Sequence, residues 1–220
     1  MASATVLNSL PPSLPPHDAF GASLYNALPS LGDTDSTLAK TRTSVLAELG
    51  TLLLKYKGVW GVCLVHSHCT LLQGEAMVAE GNYCQPKMVD RVANPLFPGQ
   101  WLSDGRPFEY TTEKTETPPQ EIFKQLQDIA SDMQGVIGLY YAGDNRSVSR
   151  ESVLLEHTEG RTNITKNILR ADLTDSEIQT AWIPDSDGGM PIQMVCTQMC
   201  DWMTTRLGAR YHTGKYHTAT

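Results

Sequence analysis

His66 and His68 are separated by one residue and sit beside a strongly apolar run, with Glu75 close behind in GVWGVCLVHSHCTLLQGEAMVAEG (58–81). No other stretch puts so many ligand atoms beside so much apolar sequence. Residues two apart on a strand share a face. Two imidazoles so placed can ligate one divalent cation, and a carboxylate completes a three-ligand set with open positions. Zinc, iron and manganese are the candidate metals. Such a centre polarises a carbonyl or activates a water. Without metal, Glu75 can serve as general base and His68 as acid or base in a small-molecule pocket. The competing reading makes His66 and His68 hydrogen-bonded core residues with no chemistry.

The element that must position these groups reads as a hairpin. One face of its first strand carries Trp60, Val62, Leu64, His66, His68 and Thr70. The other carries Gly61, Cys63, Val65, Ser67 and Cys69. The second strand is expected at 75–81, with Gln73-Gly74 in the turn, where glycine supplies positive φ. If Thr70 opposes Glu75, or His68 opposes Met77, then Glu75 joins the histidine face. Over 66–81 the pattern resembles the first motif of the cupin family in His66-Ser67-His68, Glu75, Val78 and Gly81. The histidine of that family's second motif has no counterpart in Phe97-Pro98-Gly99-Gln100-Trp101, so the likeness ends there and assigns no family.

The chain has 220 residues, a net charge of -7, 40% hydrophobic and 19% charged residues. That length suits one domain with an arm. The acidic balance disfavours nucleic acid, whose phosphates need a basic surface. No run of about eighteen apolar residues is present, so no spanning helix or membrane role is expected. There is no secretory leader pattern, and five cysteines without dense spacing suit reduced thiols in a cytoplasm. Oligomeric state is not encoded in any recognisable pattern.

Residues 1–35 hold five prolines and read as a Pro-rich arm. Apolar residues at helical spacing predict helices over 36–56, 118–134 and 191–207. The last carries Val195, Cys196, Met199, Cys200 and Met203 on one stripe. Cys196, Cys200, His212 and His217 also have zinc-finger spacing, an alternative use of the C-terminal Cys/His residues. Strands are expected over 136–142, 152–157, 161–169 and 178–183. From Asn82 to Thr112 four prolines break the pattern, leaving a loop with aromatic anchors and a short strand at Phe108-Glu109-Tyr110.

The expected fold is α+β: an antiparallel sheet of about five to six strands covered by three helices. It spans 36–209, with the arm at 1–35 and a basic tail at 210–220. The expected function is a soluble small-molecule enzyme with a pocket on the His66/His68 face, divalent metal included. The alternative is a non-catalytic binding or interaction protein with structural histidines.

Overall fold

The computed structural model describes residues 21–56, 59–133, 135–143, 150–174, 176–185, 192–204 and 210–212, the last three and 202–204 by backbone only. Strand β2 (Glu75–Glu80) forms where the alternation places it, whereas β1 (Trp60–Leu64) covers only the first half of the run 60–70 expected as a strand and ends before His66 and His68. They do not pair with each other. β1 runs antiparallel between β6 (Ile137–Tyr141) and β9 (Ile178–Pro184). β2 turns back into β3 (Tyr83–Met88) through Gly81-Asn82. Gly81 has φ 57°, the left-handed conformation that a two-residue hairpin turn requires and glycine tolerates.

The remaining strands are β4 (Phe97–Leu102), β5 (Pro107–Thr111), β7 (Ser152–Glu159), β8 (Thr162–Leu169) and β10 (Met194–Cys200). They close a barrel in the order β1-β6-β4-β5-β2-β3-β8-β7-β10-β9. Pairs β2–β5 and β7–β10 are parallel and the others antiparallel. β11 (Trp202–Thr204) and β12 (Arg210–His212) make a separate two-stranded ribbon. This mixed ten-stranded barrel corrects the expected α+β sheet covered by three helices.

Three particulars of that expectation fail for physical reasons. Residues 194–200 are β10, not helix 191–207. The ladder between β10 and β9 shifts register between Cys196 and Gln198 and again between Gln198 and Met199. Each bulge rotates the strand's faces, so Cys196, Met199 and Cys200 are all buried at a spacing that mimics a helix. The helix expected over 36–56 is two, α2 (Leu31–Leu38) and α3 (Arg42–Leu54). α2 is capped by Ser30, whose side chain accepts the Asp33 N–H. The helix expected over 118–134 is shorter, α4 (Gln120–Ile129) followed by a 3-10 turn at Ser131–Met133. Residues 1–20 of the expected arm lie outside the described residues. Its second half forms α1 (Ala22–Asn26) and enters α2.

The alternation of β1 divides the core. Trp60, Val62 and Leu64 join Leu38, Leu49, Leu53, Ile122 and Leu126 of α2–α4 in one cluster. Cys63 and Val65 join Met77, Cys84, Phe108 and Ala181 in a second, with Tyr25 of α1. β1 and β9 are neighbours, and so are β5, β2 and β3, but the two groups stand apart in the sheet order, so their side chains meet across the barrel interior. Tyr25 and Leu49 are fully buried. No helix among the described residues is long and apolar enough to cross a membrane.

Candidate metal centre

β1 delivers the histidines. The Val65 N–H bonds Val136 O at 2.8 Å, the last rung toward β6. The chain then leaves the ladder and is held by the α1 region. Ser67 N donates to Pro29 O, and His68 N donates to Tyr25 Oη at 3.0 Å. Asn26 fixes the next turn by bonding both the N–H and the carbonyl of Leu71 at 2.8 Å. His66 and His68 lie side by side with ring centroids 4.6 Å apart, and both are buried.

The carboxylate that meets them is Glu156 of β7. One ligand atom each from His66, His68 and Glu156 lies within 4.8 Å of the others. Glu156 Oε1 stands 4.0 Å from His68 Nε2. Asn163 of β8 donates to the same oxygen at 2.8 Å, and Cys200 of β10 donates its thiol to Oε2. Cys200 Sγ is 3.6 Å from His66 Nε2. Because β7 and β10 pair Glu156 with Cys200, two strands fix the carboxylate and the thiol together.

The tautomer of His66 follows from its neighbours. Nδ1 lies 2.9 Å from Leu64 O. A carbonyl only accepts, so Nδ1 carries the proton and Nε2 presents its lone pair to the cluster. A metal-ligating imidazole is commonly oriented this way.

Glu75, expected beside the histidines, is elsewhere. Its carboxylate accepts the Leu72 N–H at 2.7 Å and is ion-paired with Arg161, which also donates to Thr70 O. Burial pushes the Glu75 carboxyl up. The Arg161 hydrogen bond, the Leu72 N–H and the Arg161 charge outweigh that and hold it below its ordinary value. The cause is the pairing: β1 and β2 are not partners, so no register sets Glu75 opposite the histidines. The zinc-finger reading of the tail also changes. Cys196 and Cys200 are strand residues, and Cys200 turns toward His66. His217 lies outside the described residues.

Sequence reasoning missed Glu156, Glu109 and Asn163. The usable signal for Glu156 was weak: a lone Glu in the weakly alternating run 152–157. Glu109 of β5 was placed on a short strand but given no role. It stands 3.9 Å from His68 Nε2 and accepts from Gln100 Nε2 at 2.7 Å. Burial, and then the charge of Glu156, push its carboxyl up to about 8, so at neutral pH it is largely protonated. Burial and the Glu156 charge likewise push the Cys200 thiol well above its usual range. A bound cation reverses that preference.

The space at the centre is small. The cavity lined by His66, His68, Glu109, Glu156 and Thr180 has about 20 Å³, room for an ion or a single water. A second, more open cavity of about 270 Å³ is lined by Tyr110, Lys114 and Tyr141. Gln100, Glu109 and Tyr140 line both. No protein-family model, curated protein or solved structure matches this chain.

Proposed function

We propose that the protein binds one divalent cation inside its barrel through His66, His68 and Glu156. The observation that supports this is the convergence of three buried ligand atoms within 4.8 Å in a space of about 20 Å³. Histidine and carboxylate ligands suit zinc, iron or manganese. The His66 Nδ1–H to Leu64 O bond and the Asn163 donor to Glu156 supply the outer hydrogen bonds that such ligands need. The test is metal analysis after reconstitution with each cation and desalting. About one metal per chain is expected in the wild type and none in His66→Ala/His68→Ala. A wild type that retains no metal refutes the reading.

A second reading, small-molecule catalysis, is favoured by one observation: Glu109 lines both cavities. A neutral carboxylic acid there can give a proton to a molecule in the outer cavity and take it back. The small inner cavity cannot hold a substrate, so the His66/His68 face itself is not the substrate pocket in this reading. A thermal-shift screen of small molecules against wild type and Glu109→Gln tests it. Ligands that stabilise only the wild type support it, and an absence of any such ligand counts against it. The five free cysteines suit a reducing compartment, and the cytoplasm is part of this proposal.

A further inference from the structure

The geometry points to Cys200 as a fourth ligand, so that the cation sits in a closed His66, His68, Glu156 and Cys200 set. This rests on the metal-centre reading above and deepens it. Three protein ligands leave a position for water and chemistry, whereas four make a structural site. The distinction therefore decides what the metal is for.

The distances fit. A tetrahedral centre with metal–sulfur near 2.3 Å and metal–nitrogen near 2.0 Å has a sulfur-to-nitrogen edge of about 3.5 Å. Cys200 Sγ to His66 Nε2 is 3.6 Å. Glu156 stands between the thiol and His68, with Oε2 toward Cys200 and Oε1 toward His68. Cys200 is fully buried, and the Thr180 hydroxyl 3.9 Å away is its other polar neighbour in the site. Its thiol is therefore aimed into the cluster rather than at solvent.

Three other thiols are placed differently. Cys84 faces Glu109 at 3.8 Å, and Cys196 donates to Gln198 O at 3.2 Å. Cys63 lines the small cavity but has no hydrogen bond to His66, His68 or Glu156 among those described. A set of imidazole, carboxylate and thiolate selects zinc over magnesium, calcium or manganese. The cation then fastens the end of β1 to β7 and β10. Acid–base chemistry is left to Glu109 in the outer cavity.

Cobalt(II) is the probe, because it reports geometry and sulfur ligation separately. Wild-type protein titrated with cobalt(II) should show the visible bands of a tetrahedral centre and a near-ultraviolet thiolate charge-transfer band. In Cys200→Ser the charge-transfer band should vanish, while in Cys63→Ser it should persist. Visible bands without charge transfer in the wild type overturn Cys200 ligation and leave the three-residue centre standing. Loss of the band in Cys63→Ser alone also overturns it. No cobalt binding in the wild type overturns the centre itself. Should Cys200→Ser fail to fold, cadmium NMR of the wild type decides. A resonance displaced downfield by one thiolate supports the inference, and a purely nitrogen and oxygen shift overturns it.

Discussion

Asn163 Nδ2 donates to Glu156 Oε1 at 2.8 Å, from a position diagonal to it across the β7–β8 ladder, where Asn163 opposes Thr158 and Glu156 opposes Thr165. The amide thus fixes the carboxylate from within the same sheet. Asn163→Ala should weaken cation binding by about 10–100-fold, measured by competition with a chromogenic chelator. Stoichiometry should stay unchanged. Unaltered affinity would show that the Asn163 bond does not orient the ligand.

The two glutamates near the histidines in sequence and in space should behave oppositely. Glu156→Gln should abolish metal retention, while Glu75→Gln should leave it intact. Breaking the Glu75–Arg161 pair should cost about 1 kcal/mol, because Arg161 is partly exposed. The Glu75 carboxyl is held below its ordinary value. Its contribution is therefore present above the unfolded pKa of about 4.3 and lost as pH falls through the folded one. Urea unfolding at pH 7 and pH 3 with both variants reads this directly.

Glu109 should give the opposite slope. Its folded value of about 8 exceeds the unfolded value of about 4.3. Raised in this way, it contributes stability that is fully present below about pH 4 and lost as pH climbs to about 8. In metal-stripped protein, wild type should lose several kcal/mol relative to Glu109→Gln across that window, on the order of 1.4 kcal/mol for each pH unit crossed. Parallel curves for the two proteins would mean that Glu109 is not buried as a neutral acid.

Two glycines allow the strands their close approach. A Cβ on Gly138 would sit 2.5 Å from Trp101 O and 2.9 Å from Val65 Cγ2. One on Gly61 would sit 2.6 Å from Trp182 O and collide with the Tyr140 ring. Either change to alanine should destabilise by about 3 kcal/mol or prevent folding, as overpacking against backbone that cannot yield. Thermal melts check this, and an effect below about 1 kcal/mol would contradict the packing.

The strands were legible where alternation was intact. Trp60–Leu64 and Ile178–Pro184 declare themselves by apolar periodicity, and Glu159-Gly160 by its turn chemistry. β3 was hidden by Pro86. Beyond Cys84 it has no ladder to β8, so that side can hold a residue without an N–H. β4 was hidden by Pro98, which stands beside a register shift. The histidine pair was visible because both ligands lie in one segment. Glu156 was not, because it arrives from a strand whose neighbourhood depends on barrel order, and a local reading of spacing carries no information about that order.

Barrel closure also has a consequence in time. β1 completes its pairing only with β9, through Val62↔Trp182 and Cys63↔Ala181. During synthesis, at roughly 5–20 residues per second, the β9-facing edge of β1 must therefore wait for most of the chain to leave the ribosome. An open, apolar strand edge invites pairing with other chains. The vulnerable species is thus the nascent chain stalled before β9, and slowing translation there should raise aggregation more than slowing it after Cys200.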